Sequence, residues 1–355
     1  MLSKLDPAAR LMIVYADLRY PDKVGVGVFK QEIFRRVPPG IDIIDLNVKG
    51  PIGSPFSPVA ISRALARNRA KSAVFFSPGH VPPFQIRLPS IVTVHDLQHL
   101  HFCSIFHVAY YELVLKPLYR RCRKIICVSE YTRNEFLGWS GISESRVIAI
   151  HNGVSDVFRR EVSGEGFKFA YAFYPGKHRV YKNKVRLLRA YAESALPRKD
   201  VHMVFTGHPA KFLLREAERC GISQLVRFVG DVSTEEMLKL YKGALLVPYV
   251  SLHEGFGLPI LEAMAAGVPV LVSNTTAMPE VAGDAAMLVN PHSVNDIVNG
   301  LNTLAFDEGE RAVRIKLGKE RAKRFTWDAA AEKVWEAVAG EAVLPYDRAP
   351  LANAG

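Results

Sequence analysis

Short apolar runs rich in Val and Ile alternate with helix-like segments along the chain, and this alternation restricts its fold most. The runs in the first half are LMIVYAD, IDIIDLN, SAVFFSP, IVTVHDL, KIICVSE and RVIAIHNG. Short runs of this composition are typical of strands buried in a parallel sheet. The segments between them include VFKQEIFRRV, VAISRALARNR and YELVLKPLYRRCR, whose spacing is helical. The pattern therefore predicts β-α-β units and an α/β sheet.

The same pattern restarts after the polar stretch RREVSGEGFK, with the runs FAYAFYPG, HMVFTG, VRFVG, ALLVPYV, VPVLVSN and AAMLVN. A length of 355 residues also favours about two domains. We predict one domain over residues 1–163, a second over 164–335, and a helix and tail over 336–355 that return to the first. Ligands bind beyond the carboxyl ends of parallel strands, so we expect two parallel sheets facing across a cleft, with the chemistry in strand-end loops.

Cysteine usage and hydropathy exclude several classes of protein. The four cysteines have neither CxxC spacing nor histidines at metal-ligand spacing, so neither a disulfide framework nor a zinc site is expected. No apolar run approaches the roughly 20 residues of a membrane-spanning helix. The first apolar run is too short for a signal peptide. We therefore expect a cytoplasmic protein that is soluble or peripheral to a membrane.

Charge is distributed unevenly between the two halves. Residues 1–160 contain 22 Lys and Arg against 12 Asp and Glu, and the rest of the chain contains 24 against 23. The net charges are therefore +10 and +1. Such an asymmetry indicates that the first half meets an anionic partner, which charge alone leaves open as nucleic acid, a phosphorylated acceptor or a membrane surface.

The stretch SLHEGFGLPILEAMAAGVPVLVSN, residues 251–274, contains two glutamates eight positions apart. Pro259 suits a first helical turn and Gly267 suits a helix end, so PILEAMAA is predicted to be a short helix. Glu254 then lies in the preceding loop and Glu262 on the helix. Carboxylates in these places could accept hydrogen bonds from the hydroxyls of a sugar and a ribose. The alternative is that both are surface acids near a helix start.

Two glycines in that loop point to a phosphate ligand. Gly255 and Gly257 allow backbone N–H groups to approach a ligand closely. A helix N-terminus adds unpaired donors and the positive end of the helix dipole. The loop is therefore predicted to bind a diphosphate.

The same stretch, with MPEVAGDAAMLVNP and RFTWDAAAEKVWE, resembles the carboxyl-terminal half of family 4 retaining glycosyltransferases, also described as glycosyl transferases group 1. The similarity continues through YPGKHRVYKNKVRLLRAYA, VRFVGDVSTEEMLKLYKGA, VTVHDL, ICVSEYTRNEF and HNGVSDVF, from about residue 25 to 340. It implies the GT-B fold of two Rossmann-like domains. It also implies that Glu254 contacts the donor sugar and Glu262 the nucleotide ribose. The other implied donor-binding residues of this loop are Gly255, Phe256, Gly257 and Leu258.

Two basic residues follow the run FAYAFYPG. Arg179 and Lys182 resemble the Arg and Lys that bind the donor diphosphate in this family, although their spacing of three is closer than in some members. The alternative is a solvated basic loop. The sequence contains no Asp-x-Asp motif, which argues against a metal-bound diphosphate. We therefore expect no metal and no cofactor, with cationic side chains stabilising the leaving group.

The first half carries weaker motifs. Gly25 and Gly27 follow the first strand, and the resemblance places Gly27 near the donor phosphate. His95 resembles the active-site histidine near the donor sugar, and Asp96 is expected to orient it or the acceptor. An isolated strand-end histidine is otherwise more often structural. HNGV, with Asn152 and Gly153, is expected to be a structural turn leading to the second domain.

The acceptor side is predicted from an apolar segment, residues 100–121, and from the basic cluster that follows it. Family members acting on lipid-linked acceptors use such a surface for membranes, and several basic residues together give reversible binding to anionic lipid. The alternative is an internal helix packed on the sheet. The basic residues are Arg120, Arg121, Arg123 and Lys124.

Together these patterns and the resemblance predict a metal-independent hexosyltransferase of the GT-B class, and the resemblance alone implies that it retains configuration. GDP-mannose is the favoured donor and a UDP-hexose the second. The acceptor is expected to be lipid-linked, a lipopolysaccharide or a polysaccharide, at the inner face of a membrane and without nucleic acid. The alternatives are a GT-B epimerase or phosphorylase, and a non-catalytic peripheral membrane-binding protein.

Overall fold

A computed structural model describes residues 12–22, 25–68, 73–162 and 167–342. The chain divides into two compact units, of which the first combines residues 1–152 with residues 327–355 and the second spans residues 153–326. The chain therefore passes into the second unit between Asn152 and Gly153 and returns at Trp327. The domain junction predicted between residues 163 and 164 lies outside the described residues.

The first unit is built on a six-stranded parallel sheet. Its strands lie in the order β2-β1-β3-β4-β5-β6, with the order reversing between β1 and β3. The strands are β1 Met12–Ala16, β2 Ile41–Asp45, β3 Ala73–Ser77, β4 Ser90–Val94, β5 Lys124–Cys127 and β6 Val147–Ala149. The helices are α1 Gly25–Phe34, α2 Ser57–Ala66, α3 Gln98–Phe102, α4 Ile105–Tyr110, α5 Lys116–Tyr119 and α6 Glu130–Ser140, and a π-helical turn, Tyr111–Leu115, joins α4 to α5.

The second unit repeats this plan. Strands β9-β8-β7 and β10-β11-β12 form two parallel groups, and a parallel bridge between Ala172 and Leu246 joins β7 to the residue before β10. The resulting order, β9-β8-β7-β10-β11-β12, is the Rossmann order. The strands are β7 Tyr171–Tyr174, β8 His202–Phe205, β9 Val226–Phe228, β10 Val247–Tyr249, β11 Val270–Ser273 and β12 Met287–Val289. The helices are α7 Lys184–Glu193, α8 Lys211–Arg219, α9 Thr234–Lys242, α10 Leu258–Ala265, α11 Met278–Ala282, α12 Val294–Phe306 and α13 Glu308–Lys323.

The predicted secondary structure is confirmed at each of the twelve apolar runs, all of which contain a strand. Strands β3, β4 and β8 are buried along their full length, as expected of parallel strands covered on both faces. Helix α10 has the predicted short length. Its flanking residues Gly257 and Gly267 have φ of +99° and +77°, a backbone conformation that favours glycine.

The last helix, α14 Trp327–Ala342, belongs to the first unit. Trp335 is fully buried, its ring meets Phe34 and Phe76, and its indole Nε1 donates a hydrogen bond of 3.1 Å to the carbonyl of Ile33. The carboxylate of Glu341 pairs with Arg123 at the start of β5. Helix α14 therefore completes the core that residues 12–152 begin.

Among the described helices, none has both the length and the apolar character needed to cross a membrane.

Candidate functional site

The carboxyl ends of β7 and β10 are neighbours at the point where the strand order of the second unit reverses, which is where open α/β sheets bind ligands. Two contacts fix the loops that follow these strands to each other. The hydroxyls of Tyr174 and Ser251 lie 2.9 Å apart, and the amide of Leu252 donates to the carbonyl of Tyr181 over 2.7 Å. The two loops therefore form one wall of the candidate site.

Lys182 and Glu254, which are far apart in sequence, meet at this wall. The Lys182 ammonium lies 2.6 Å from the Glu254 carboxylate and donates to the Tyr249 hydroxyl over 2.6 Å. Both charged side chains are only 12% exposed. Burial raises the pKa of Tyr249 well above its usual value, so its hydroxyl stays neutral. The structure thus brings together two of the residues that were predicted to handle the donor.

The position of Lys182 is set by the residue after it. Asn183 has φ of +57°, and its amide donates hydrogen bonds to the carbonyls of Val250 and Pro291 over 3.0 and 2.8 Å. Arg179 immediately precedes the 3₁₀ turn Val180–Lys182 and is exposed, and its carbonyl accepts a hydrogen bond from the amide of Lys182. The loop therefore keeps the Lys182 side chain largely buried and leaves Arg179 exposed.

The glycine loop leads directly into α10. No side chain of the described residues caps this helix at Gly257. Pro259 carries no N–H and the amide of Ile260 donates to the carbonyl of Gly257 over 2.9 Å, so few N–H groups of the first turn remain for an anion. Thr276 accepts from the amide of Glu254 over 3.2 Å. Phe256 is buried, with its ring against Phe325 at 6.0 Å between centroids, so its contribution to a site is packing of the loop.

Glu262 lies on α10, apart from the Lys182–Glu254 pair. Its carboxylate accepts a hydrogen bond of 2.7 Å from the Tyr241 hydroxyl. Burial raises the pKa of Glu262 to about 7, and the Tyr241 hydrogen bond opposes this rise. The group can therefore accept further hydrogen bonds from a ligand in its charged form near neutral pH.

The strand-end histidine of the first unit is neutral. His95 makes a hydrogen bond of 2.8 Å through Nε2 to the carbonyl of Pro78, and its ring meets the edge of Phe29. Burial lowers the pKa of His95 to about 4. Asp96, beside it, accepts from the amide of Gln98 over 3.1 Å. With Nε2 donating, Nδ1 is the remaining acceptor of the His95 ring.

Gly27 lies within α1, and its missing side chain faces the preceding chain. A Cβ placed there would lie 1.8 Å from the carbonyl oxygen of Pro21, whereas a Cβ on Gly25 would meet nothing within 4 Å. In the structure, Gly27 is therefore required for the close approach of α1 to Pro21.

The predicted basic cluster separates into two pairs. Arg123 and Lys124 both form ion pairs with the buried Glu341, over 2.8 and 3.1 Å. Arg120 and Arg121 are exposed and donate to backbone carbonyls, of Ser140 and Phe84 respectively. Arg123 and Lys124 hold α14, and Arg120 and Arg121 remain at the surface.

The apolar segment at residues 100–121 has two faces. Ile105 and Phe106 are 77% and 82% exposed, whereas Tyr111 and Leu115 are buried in the core of the first unit. The segment therefore packs on the core through one face and presents apolar side chains on the other.

Sequence reasoning missed the tyrosines of this site. Tyr174 and Tyr249 are the last residues of the neighbouring strands β7 and β10, and their hydroxyls contact Ser251 and Lys182. The available signal was a tyrosine near the end of each apolar run, since a buried tyrosine needs a partner for its hydroxyl.

Two parallel α/β units, with charged and glycine-containing loops where the second sheet reverses, define the GT-B class of nucleotide-sugar glycosyltransferases. A family model described as Glycosyl transferases group 1 matches residues 158–321, and one described as Glycosyltransferase Family 4 matches residues 27–157. The chain belongs to the family 4 glycosyltransferases, and it is a hexosyltransferase.

Individual proteins agree with this assignment. The chain is 29% identical to O-antigen chain mannosyltransferase B of Escherichia coli over 75% of its own length and 74% of that protein. It is 31% identical to the serotype-specific mannosyltransferase WbdA of E. coli, over 59% of its own length and 28% of the relative's. A solved structure, sucrose-phosphate synthase from Thermosynechococcus elongatus, superposes with a TM-score of 0.75 at 17% identity, over 93% of this chain and 99% of that one.

Proposed function

We propose that the chain transfers mannose from GDP-mannose, with retention of configuration, to a mannose-containing polysaccharide or lipid-linked acceptor of the lipopolysaccharide type. The observation that carries this proposal is the contact of Lys182 with Glu254 and Tyr249 beside the glycine loop. A cation and a carboxylate beside a glycine loop at one strand-end edge suit a diphosphate joined to a sugar. The names of the E. coli relatives support mannose and O-antigen.

The cations act on the leaving group. Negative charge grows on the nucleoside diphosphate as the sugar C1–O bond breaks, and Lys182 and Arg179 offset it. Glu254 accepts hydrogen bonds from the sugar hydroxyls and so positions the sugar, and Glu262 does the same for the ribose. The acceptor hydroxyl attacks C1 on the face that the phosphate leaves, and its proton passes to the departing phosphate oxygen. One C–O bond forms as the other breaks, which retains the configuration.

A thermal-shift panel of GDP, UDP, GDP-mannose and UDP-glucose tests the donor. Binding to the folded state raises the unfolding temperature in proportion to RT ln(1 + [L]/Kd), so the largest shift is expected with the guanine nucleotides. A larger shift with UDP would move the proposal to a UDP-hexose. Transfer from labelled GDP-mannose to a manno-oligosaccharide, with the new linkage assigned by NMR, tests the reaction and its stereochemistry. Release of free rearranged sugar, or a need for inorganic phosphate, would instead indicate an epimerase or a phosphorylase.

We propose that transfer needs no divalent metal, because Lys182 and Arg179 supply the positive charge. The reaction is expected to continue in excess EDTA. Loss of activity on chelation, with recovery on adding magnesium or manganese, would contradict this.

We also propose that the first unit docks on the cytoplasmic face of an anionic membrane through the apolar face of residues 100–121, together with Arg120 and Arg121. Exposed Ile105 and Phe106 would enter the headgroup region, and each nearby cation adds about 1 kcal/mol. Co-sedimentation with phosphatidylglycerol vesicles at low salt measures this docking. Changing Ile105 and Phe106 to Ser, or Arg120 and Arg121 to Gln, should weaken sedimentation and leave donor binding unchanged.

The matched control is Arg123→Gln with Lys124→Gln, because these two cations face Glu341. This control should lower thermal stability with a smaller effect on sedimentation. If the parent protein ignores vesicles rich in anionic lipid, the basic residues serve a soluble anionic acceptor and docking is excluded.

A further inference from the structure

Lys184 is a buried lysine next to the donor loop. It is the first residue of α7, two positions after Lys182, and only 2% of it is exposed. Lysines are almost never buried to this degree unless an anion is paired with them, because removing an ammonium from water is costly. The partners of Lys184 are therefore informative about what else occupies this site.

The partners of the Lys184 ammonium in the described part of the chain are all neutral. It donates to the carbonyl of Gly176 over 2.7 Å and lies 3.0 Å from Nδ1 of His178. It also lies over the rings of Tyr174 and Phe205, at 4.7 and 5.1 Å from their centroids. No carboxylate within the described part of the chain lies at ion-pair distance from it.

His178 cannot act as an anionic partner. Its Nε2 bonds to the carbonyl of His208 over 2.9 Å, which requires a proton on that nitrogen and leaves Nδ1 as the acceptor for Lys184. Burial and Lys184 lower the pKa of His178 to about 4, so the ring is neutral. The chain of hydrogen bonds from Lys184 through His178 to His208 ties the loop after β7 to the loop after β8.

Among the charged groups near Lys184, positive charges outnumber negative ones. Lys182 is paired with Glu254, which leaves that carboxylate engaged, and Lys177 and Arg179 are exposed on the same loop. Burial, followed by repulsion from Lys182, lowers the pKa of Lys184 to about 6. Without a bound anion, the buried Lys184 therefore loses its proton near neutral pH.

We propose that the donor diphosphate supplies the missing negative charge, so that Lys184 takes up a proton from solvent when the donor binds and returns it when the nucleoside diphosphate leaves. The inference rests on the proposed donor site at β7 and β10. Lys184 is a positioning residue, since its positive charge attracts the diphosphate and its hydrogen bond to the carbonyl of Gly176 holds the donor loop. An added anion favours the charged form of a nearby lysine.

Calorimetry with GDP-mannose, in buffers of equal pH and different ionisation enthalpy, measures the proton uptake. Both phosphates of a nucleotide sugar are diesters without a proton to titrate near neutral pH, so uptake reports on the protein. We expect net uptake of up to one proton per donor bound between about pH 7 and pH 8. The donor Kd should accordingly rise with pH, by at most about tenfold per unit.

Three variants assign the proton. Lys184→Arg should bind the donor without uptake, because a guanidinium stays charged throughout this range. Lys184→Met should bind more weakly and also without uptake. Lys211→Met is the matched control, because Lys211 likewise begins a helix but is exposed, and it should take up the same proton as the parent protein.

Donor binding by the parent without proton uptake would overturn the inference, as would undiminished uptake in Lys184→Arg. Proton uptake that survives in Lys184→Met and disappears in His178→Gln would assign the proton to the His178 imidazole. This result would also overturn the inference. If Lys184→Met does not fold, Lys184→Arg still decides. Failure of the parent to bind any nucleotide sugar would refute the proposed function itself, and this inference with it.

Discussion

The two units share a six-strand parallel plan, yet the carboxyl edges of their sheets differ in charge. In the second unit this edge carries a contacting cation and carboxylate, Lys182 and Glu254, with a further buried lysine at α7. In the first unit the edge carries histidines, and burial lowers the pKa values of His80 and His95 to about 3 and about 4. The groups described at the two edges therefore differ: neutral histidines in the first unit, and a lysine–glutamate pair with a second buried lysine in the second.

The difference shows that net charge and site charge are separate properties. The first half of the chain has the basic excess, but Arg123 and Lys124 are used to hold α14, and Arg19 is locked onto the buried Asp17 over 2.8 Å. The two units as such carry similar net charges, since the first holds 22 Lys and Arg against 16 Asp and Glu (+6) and the second 24 against 19 (+5). The second presents part of its positive charge at the ligand edge. An anionic donor on the second unit and a sugar acceptor on the first fit this division.

The largest expected effects separate the two glutamates of the second unit. Glu254→Ala should mainly slow sugar transfer, and Glu262→Ala should weaken nucleotide binding, because the first lies against Lys182 and the second on α10. Loss of a charged hydrogen-bond partner costs about 1.5 to 3 kcal/mol, or roughly 10- to 150-fold. Steady-state kinetics and nucleotide titration measure the two effects, with exposed Glu308→Ala as the control. Parent-like binding and turnover in both variants would refute the assignment.

The second prediction concerns the glycines of the first unit. Gly27→Ala should lower the free energy of unfolding by about 1 to 3 kcal/mol, because its Cβ would collide with the carbonyl of Pro21. Gly25→Ala has free space and should be neutral or stabilising by up to about 1 kcal/mol. Urea unfolding measures both. A stable Gly27→Ala protein that fails to bind donor would show instead that this glycine contacts the phosphate.

The third prediction uses the pH dependence of stability at Glu262. Its pKa is raised to about 7 in the folded protein, so its contribution to stability is fully present below the unfolded pKa and is lost as pH rises through about 7. Glu262→Gln, which resembles the protonated form, should match the parent in melting temperature near pH 4.5 and exceed it by a few degrees at pH 8. A difference that is constant with pH would show that the carboxylate is not perturbed.

The smallest expected effect tests the charge difference itself. Raising ionic strength from low to physiological values should increase the KM for the donor severalfold and leave the KM for a neutral manno-oligosaccharide unchanged, because salt screens the attraction between cations and the anionic donor and the oligosaccharide has no charge to screen. Initial rates at varied concentrations of each substrate measure this. A donor KM that does not change with salt would mean that the cations of the second unit do not attract the donor.

Much of the fold could be predicted, because parallel strands buried on both faces must be continuous apolar runs and therefore stand out in the sequence. The helix with Glu262 was equally clear, since Pro259 and Gly267 mark its ends. The partners of the charged residues could not be predicted. That Lys182 meets Tyr249, or that Arg123 and Lys124 share Glu341, depends on strand order and on the return of α14, which periodicity does not encode. The buried state of Lys184 was hidden for the same reason, in a stretch that resembles a solvated basic loop.

The return of α14 has a consequence for synthesis of the protein. The first unit begins at the amino end but lacks Trp335 until residues 153–326 have been translated. At about 5 to 20 residues per second, the ribosome needs roughly 10 to 35 seconds for that stretch. Until then the faces of Phe34 and Phe76 that Trp335 covers stay exposed on the nascent chain, so the second unit can finish folding before the first. A stop codon just before Trp327 would thus leave the second unit whole and the first unit, although made earlier, without its closing helix.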